Sequence, residues 1–208
     1  LIPQGVDSSR DNQGFIMNRQ KDTSCVTGDK NVFVQGPEFN QIIANGATTM
    51  SMMCWMRNFG SKDDSDSYAT FVGERTDNNA LLCKSSSNAT AACIYQLTNA
   101  GNLTALISTT EVFDNDWHHI AFTFGDGDGV GRIYIDGQEE TTNRQTHAGD
   151  TLRMDTDNLY ILGNDPDGTG DSARNFLGEI DGVLVYSDAL DSTEILRNYN
   201  ATKGSHRN

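Results

Sequence analysis

Residues 175–195 read NFLGEIDGVLVYSDALDSTEI, a strand-like run followed by the start of a helix. The first part is rich in β-branched and aromatic residues and is interrupted by glycine, which is typical of a core strand near a bend. The residues after it have helical spacing, with Asp191 as the expected N-cap and Glu194 as its capping-box partner. We therefore predict a core strand followed by a short helix over residues 189–200. The face of this helix that is expected to pack on the body carries Ile195, Leu196 and Tyr199.

Short strand-like segments with turn signals between them precede this stretch along most of the chain. They are NVFVQG (31–36), TTMSMMCWMRNF (48–59), SYATFVG (67–73), ALLCK (80–84), AACIYQL (91–97), NLTALIS (102–108), WHHIAFTF (117–124), GRIYIDGQEE (131–140) and LYILG (159–163). Asp136-Gly137 is a tight hairpin-turn signal. Many short strands and 20 glycines indicate an all-β sandwich or barrel.

The totals favour one domain over residues 1–208, with a polar segment at 1–30 that we expect to wrap the edge of the sandwich. The net charge is −14, which repels phosphate backbones and makes nucleic acid an unsuitable partner. Hydrophobic residues make up 36% of the chain, and no run of them is long enough to span a bilayer. The chain starts at Leu1 rather than Met. We expect a signal segment that was removed, or a piece of a larger surface or secreted protein.

The four cysteines and three glycosylation sequons indicate an oxidising, extracellular setting. Cys83 and Cys93 lie in consecutive strand candidates, so a cross-strand disulfide is geometrically reasonable. Elimination then pairs Cys25 with Cys54. The sequons predict N-glycans at Asn88, Asn102 and Asn200.

The order of these segments resembles a laminin G-like or pentraxin-like domain of the concanavalin A-like lectin/glucanase superfamily. The resemblance rests on VFVQGPEF leading into TTMSMMCWMRN, on DWHHIAFTF followed by GRIYIDGQEE, and on LYILGNDPDGTGDSARNFLGEIDGVLVYSDALDSTEI. It spans about residues 31–200. It implies a two-sheet antiparallel jelly-roll sandwich with one short C-terminal helix. It also implies a glycan or a cell-surface protein as partner, often bound through calcium on the rim of the sandwich.

Two carboxylates on the core strand raise the question of catalysis. Glu179 and Asp181 are two residues apart and project from one face of the strand, which resembles the acidic strand of the superfamily's retaining glucanases. The next residue on that face is expected to be Val183, so the third carboxylate of that pattern is missing. The favoured alternative is that Glu179 and Asp181 pair with neighbours or accept backbone hydrogen bonds at a bend. We predict that the protein is not an enzyme.

The histidine pair offers no metal site by spacing. His118 and His119 are adjacent and point to opposite faces of a strand, so they are expected to serve packing. No G-x-S-x-G motif accompanies them. Trp117 is predicted to be a core aromatic, and Trp55 lies in a long strand.

Calcium prefers six to eight oxygen ligands from carboxylates, amides and backbone in loops, and three clusters supply them. The predicted metal ligands are Asp77 and Asn79 in RTDNNALL, Asp155 and Asp157 in RMDTDNLYILG, and Asn164, Asp165, Asp167 and Asp171 in GNDPDGTGD. The resemblance implies a rim calcium at positions that match Asp77 or Asn79, together with Asp155. The third cluster is equally typical of an ordinary Asp/Gly turn.

A glycan platform needs an exposed aromatic ring beside hydrogen-bonding groups. The candidate members are Tyr68, Tyr95, Tyr160, Arg174 and Asn175. Together these patterns predict an extracellular recognition module that binds carbohydrate with the support of Ca²⁺. The alternatives are a protein-binding adhesion module with structural calcium and, less favoured, a polysaccharide hydrolase or lyase.

Overall fold

The computed structural model describes residues 14–17, 20–21, 34–59, 69–74, 80–85, 87–88, 90–125, 129–140, 145–146, 148–154, 156, 158–161 and 176–206. These residues form two antiparallel sheets that face each other across a shared hydrophobic core. The predicted all-β, two-sheet antiparallel sandwich is confirmed. No helix in this part of the chain is both long and apolar enough to cross a bilayer.

Sheet A has eight strands, six of them in one continuous order. That order is β1 (Gly14–Met17), β14 (Gly178–Tyr186), β4 (Met50–Asn58), β9 (His118–Phe124), β10 (Val130–Ile135) and β11 (Gln138–Glu139). Two short strands pair beside this path, β2 (Gln20–Lys21) with β14 and β12 (Gln145–Thr146) with β10. The described parts of the N-terminal segment thus pair with β14 at the sheet edge, and the rest of residues 1–30 lies outside the described residues.

Sheet B has six strands in one order. That order is β3 (Val34–Glu38), β13 (Asn158–Ile161), β5 (Thr70–Glu74), β6 (Ala80–Lys84), β7 (Ala91–Leu97) and β8 (Leu103–Glu111). Every strand predicted from the apolar segments is present, with ends shifted by a few residues.

Two α-helices and a short 3-10 turn complete the described structure. They are α1 (Phe39–Ile42), α2 (Ser192–Thr202) and the 3-10 turn Lys203–Ser205. Asp191 caps α2, and both reciprocal hydrogen bonds with Glu194 are present, so the predicted capping box is confirmed. Ile195 is buried, while Leu196 and Tyr199 are half-buried against the body.

The main core lies between the sheets because alternate residues of each strand point inward. On β4 these are Met50, Met52, Cys54 and Met56, and on β9 they are Ile120, Phe122 and Phe124. Ala121 of β9 belongs to a separate cluster on the other side of the sheet, so adjacent residues of this strand point to opposite faces.

A bulge in β14 corrects one prediction. The pairing with β4 shifts register between Asp181 and Leu184, and Gly182 adopts a positive φ of 57° there, a conformation that favours glycine. Val183 therefore points into the main core, and Leu184 takes the face that Asp181 occupies. The expectation that Val183 follows Asp181 on that face is wrong, because strict alternation does not survive an inserted residue.

The predicted hairpin turn is confirmed. Asp136 and Gly137 have φ values of 52° and 78°, as a two-residue type I′ turn requires. Ile135 pairs with Gln138 directly across the turn. The turn places the Asp136 side chain at the end of sheet A, next to the start of β9.

Candidate functional site

The outer face of sheet A, which points away from sheet B, divides into two halves. The apolar half is a buried cluster of Met53, Ala121, Tyr134, Leu184, Tyr186, Leu190 and Ile195. The polar half lies beside it toward the end of β4 and carries Trp55, Arg57, Trp117, His119, Glu179 and Asp181. Strand register sets these neighbours, because Asp181 is opposite Trp55, Trp55 is opposite His119, and Glu179 is opposite Arg57.

Glu179 is committed to an ion pair. Its Oε2 accepts a 2.6 Å hydrogen bond from Arg57 Nη2, and its side chain is 5% exposed. The guanidinium also lies 5.2 Å from the ring centre of Trp117 and 5.6 Å from that of Phe59, within the range of cation–π attraction. The pairing of Glu179 with a neighbour is the arrangement that we favoured from the sequence.

Asp181 is also engaged. Its Oδ2 lies 2.9 Å from Nε2 of His206, and its Oδ1 accepts a hydrogen bond from the backbone N–H of Gly182 at the bulge. The other ring nitrogen of His206, Nδ1, donates to the carbonyl oxygen of Thr202 at 3.0 Å. His206 thereby ties the end of the chain to β14.

Trp55 is the centre of the polar half. The His206 ring stacks on it at 4.3 Å with an interplanar angle of 6°, and Tyr199 stacks at 5.5 Å and 22°. His119 meets it edge-on at 5.3 Å. The indole Nε1–H donates to Thr202 Oγ1 at 2.8 Å, so the ring is fixed in both position and orientation.

The adjacent histidines have opposite electrostatic environments. His118 lies between two carboxylates, with Nδ1 2.9 Å from Asp136 and Nε2 3.2 Å from Asp114. Burial lowers the pKa of His118, but the hydrogen bonds and charges of these carboxylates outweigh burial and raise the pKa above its ordinary value. Burial lowers the pKa of His119 to about 4, the Asp136 charge opposes this, and the His206 charge adds to it. His118 therefore keeps its proton to a higher pH than an ordinary histidine, whereas His119 loses its proton at a lower pH.

A groove opens between the polar half and the end of the chain. This C-terminal groove has a volume of about 220 Å³ and is lined by Trp55, Trp117, Asp136, Tyr199, Lys203 and His206. Asp136 is held at its edge, because Oδ2 contacts His118 and Oδ1 accepts from the backbone N–H of His119 at 2.9 Å. The predicted role of Trp117 needs correction, since it is buried but packs here and not in the core between the sheets.

The predicted calcium ligands lie outside the described residues: Asp77, Asn79, Asp155, Asp157, Asn164, Asp165, Asp167 and Asp171. The strand ends that flank two of the three clusters are neighbours, because Glu74 at the end of β5 pairs with Leu159 near the start of β13. Residues 75–79 follow the first of these strand ends, and residues 155–157 precede the second. In the described part of the chain, no three His, Cys, Asp or Glu side chains converge in a way that could hold a metal ion.

Of the predicted glycan-platform residues, Tyr68, Arg174 and Asn175 lie outside the described residues, and Tyr95 lies in β7. Tyr160 in β13 is 4% exposed. It therefore does not present the exposed ring that such a platform requires.

The cysteine predictions remain predictions. Cys83 and Cys93 are direct partners across β6 and β7, which confirms the neighbouring strands on which the proposed bridge rests. The structure contains no S–S bond among Cys54, Cys83 and Cys93, and Cys25 lies outside the described residues. Cys54 is fully buried in the core, where desolvation raises its pKa far above the ordinary value.

The three sequon asparagines are all exposed. Asn88 accepts a hydrogen bond from Thr90 Oγ1, Asn102 donates to Asp150 and Asn200 accepts from Lys203. Their positions are compatible with the predicted glycans.

Sequence reasoning missed several residues of the groove. The sequence indicates Asp136 only as a turn residue, and it gives no sign of Lys203 or His206, nor of Arg57 in the polar half beside the groove. The turn signal could have indicated an exposed carboxylate at a sheet end. Nothing local in KGSH at 203–206 announces that this segment folds back onto β4 and β14.

The fold has many solved relatives at low sequence identity. The binding domain of Paraclostridial Mosquitocidal Protein 1 matches with a TM-score of 0.64 and 14% identity, covering 91% of this chain and 46% of that one. A Bacteroides ovatus protein to which carbohydrate binding is ascribed matches with a TM-score of 0.60 and 16% identity, covering 88% and 45%. The chain thus spans about half the length of these two relatives.

A third relative is covered more completely. The heptameric SAP-like pentraxin from Limulus polyphemus matches with a TM-score of 0.55 and 12% identity, covering 86% of this chain and 78% of that one. Among curated protein sequences, none matches this chain. Such identities establish shared architecture only.

The family is shown by the sequence itself. A laminin G family model, described as concanavalin A-like lectin/glucanases superfamily, matches residues 28–196. This range contains both sheets from β3 to β14 and the first turn of α2. The chain therefore belongs to the laminin G branch of the concanavalin A-like lectin/glucanases superfamily.

Proposed function

We propose that this protein is an extracellular carbohydrate-binding module of lectin type and not a glycan-cleaving enzyme. The observation that carries the proposal is that the carboxylates of Glu179 and Asp181 are both paired with other side chains. In a superfamily that contains both lectins and glucanases, Glu179 is bound by Arg57 and Asp181 by His206. A retaining glycosidase needs two carboxyl groups free to act as acid and nucleophile, and here both are held by side chains of the protein itself.

Calcium supports binding in this proposal. The net charge of −14 gives the surface an excess of the hard oxygen ligands that Ca²⁺ prefers. The adjacent strand ends at Glu74 and Leu159 favour a site shared by Asp77 or Asn79 and Asp155. The cation would neutralise the acidic rim and either fix the loops or contact ligand hydroxyls.

The structural relatives support recognition as the general role. One is the binding domain of a mosquitocidal protein and another has carbohydrate binding ascribed to it. The exposed sequons and the cysteines support an extracellular location, either secreted or on a cell surface, within a larger protein.

A glycan array probed with and without EDTA tests the proposal. We expect a defined set of glycans to bind in calcium buffer and to lose signal in EDTA. Absence of any glycan signal from the folded protein in both buffers would contradict the lectin function. The matched control for catalysis is Glu179→Gln on a polysaccharide panel, where we expect neither the wild type nor the variant to release sugar.

The second candidate is a protein-binding adhesion module in which calcium is structural. It is supported by the likeness to the binding domain of a mosquitocidal protein. Retained binding to a cell-surface protein, together with a blank array, would select this alternative.

A further inference from the structure

We infer that the C-terminal groove is a calcium-independent subsite that holds one sugar ring of the glycan. This inference rests on the proposed function and adds a site that is separate from the predicted calcium ligands. Its lining comes from β4, the start of β9, the Asp136-Gly137 turn and residues 199–206. None of the predicted calcium clusters contributes to it.

The size and shape of the groove match a single ring. Its volume of about 220 Å³ is below the range of roughly 300–1,000 Å³ that accommodates drug-sized ligands. Trp55, Trp117 and His206 are buried and form the floor, whereas Asp136, Tyr199 and Lys203 are more exposed and form the walls. A pyranose chair lying on the aromatic edges of this floor, with its hydroxyls reaching the walls, fits this arrangement.

The walls supply the two kinds of hydrogen-bonding group that a sugar hydroxyl needs. The Asp136 carboxylate accepts hydrogen bonds and the Lys203 ammonium donates them. Each Asp136 oxygen already has one partner, and a carboxylate oxygen can accept a second. Lys203 Nζ is held 2.6 Å from Asn200 Oδ1 and 5.3 Å from the Tyr199 ring centre, which leaves donor capacity on the ammonium.

The groove is also preorganised. Trp55 is fixed by two stacked rings and by its hydrogen bond to Thr202. Asp136 is fixed by its two hydrogen bonds at a turn whose geometry is set by the following glycine. Ordering these side chains in advance reduces the entropic cost of binding.

The charges select a neutral ligand. One carboxylate and one ammonium line the same groove. A free anion would therefore be repelled by the carboxylate, and a free cation would be repelled by the ammonium. A neutral polyol can satisfy both groups at once. An amino acid zwitterion could do so as well, and the experiment below includes it as a competing ligand.

The experiment uses intrinsic fluorescence, because the only two tryptophans of the chain, Trp55 and Trp117, both line the groove. The full chain is titrated in EDTA with the methyl glycosides of glucose, galactose, mannose and N-acetylglucosamine, and separately with free glycine. We expect a saturable change with at least one glycoside and none with glycine. A response to glycine alone would overturn the sugar assignment.

Two variants test the walls. We expect Asp136→Asn and Lys203→Met each to weaken the response about tenfold or more, the usual effect of losing one hydrogen bond to a charged group. The control Glu111→Gln removes one negative charge at the end of β8, outside the groove, and should bind like the wild type. Because Lys203 is exposed, its variant remains informative even if Asp136→Asn unfolds the turn.

The outcomes separate this inference from the proposed function. A positive glycan array with no saturable fluorescence change for any glycoside overturns the subsite and leaves the lectin function standing. A response that neither variant weakens places the ligand elsewhere and also overturns the subsite. A blank array with a glycoside response in EDTA would keep the groove as a sugar site while removing the calcium-supported rim.

Discussion

The two halves of the outer face of sheet A are covered by the same C-terminal segment but are held in different ways. The apolar half contacts α2 through a buried apolar cluster that includes Met53, Leu190 and Ile195. The polar half contacts residues 199–206 through stacked rings and two specific hydrogen bonds, one from Trp55 Nε1 to Thr202 Oγ1 and one between His206 Nε2 and Asp181 Oδ2. The free energy gained by apolar burial is roughly proportional to the buried area and does not depend on direction. The polar contacts, in contrast, depend on specific partners.

This difference explains where a binding site can be placed. The helix α2 is anchored by the apolar half through the fully buried side chain of Ile195. The polar half packs around directional contacts and leaves the C-terminal groove open between them. Stability and recognition can therefore occupy neighbouring parts of one surface.

The largest expected effect is at Trp55. Trp55→Ala removes the ring on which His206 and Tyr199 stack and should lower the free energy of unfolding by about 3–5 kcal/mol. Urea denaturation followed by circular dichroism measures the change. Trp55→Phe keeps a ring but loses the Nε1 donor, and it should cost clearly less; an equal loss would show that stacking is unimportant.

The apolar half gives the next effect. Ile195 is fully buried, so Ile195→Ala should cost about 2–4 kcal/mol through lost burial and a residual cavity. The same urea titration measures it. The control Arg197→Ala changes an exposed residue on the same helix and should stay within about 0.5 kcal/mol of the wild type. If the two variants were equally stable, α2 would not be anchored by this half.

A pH effect distinguishes the two histidines. Because the folded-state pKa of His119 is lowered to about 4, the unfolded state binds the proton first as pH falls, and stability is lost from about pH 6.5 downward. Between pH 7 and 5 this amounts to about 2 kcal/mol. His118 has a raised pKa. Its contribution to the free energy of unfolding is therefore present below the ordinary histidine pKa and is lost as pH rises through the raised pKa.

The measurement for this pair is the free energy of unfolding from pH 5 to 8 for the wild type, His119→Gln and His118→Gln. His119→Gln should flatten the loss of stability below pH 6.5, whereas His118→Gln should remove a gain in stability that the wild type shows as pH falls toward 6.5. If both variants changed the slope of the free energy of unfolding against pH in the same direction, the two histidines would not have opposite electrostatic environments.

The smallest of these effects concerns Glu179. Glu179→Gln leaves the Arg57 guanidinium without its anionic partner and should lower stability by about 1–2 kcal/mol. A double-mutant cycle with Arg57→Met gives the coupling energy of the pair. A coupling energy near zero would mean that the ion pair does not hold Glu179 away from other roles.

Most of the fold could be predicted from local patterns. The strands follow from alternation and turn residues, the Asp136-Gly137 hairpin follows from its dipeptide, and the α2 capping box follows from Asp191 and Glu194. These features depend on residues close in sequence. The register of β14 beyond Asp181 could not be predicted, because the bulge at Gly182 depends on pairing with a distant strand.

The candidate site was harder to predict for the same reason. Trp55, Asp136 and His206 come from distant parts of the chain and meet only because β4, β10 and residues 203–206 converge. Glu179 and Asp181 stood out in the sequence, yet their partners Arg57 and His206 are set by register and by the path of the C-terminal turn. A side chain's role follows from such partners, which no local pattern contains.

A crystal structure with calcium and the glycan that gives the strongest array signal tests the central claim most directly, namely that the polar half recognises sugar. We predict a sugar ring in the C-terminal groove, over Trp117 and within hydrogen-bond distance of Asp136 and Lys203. A fully occupied glycan bound elsewhere, with the groove unchanged and empty of sugar, would contradict the claim.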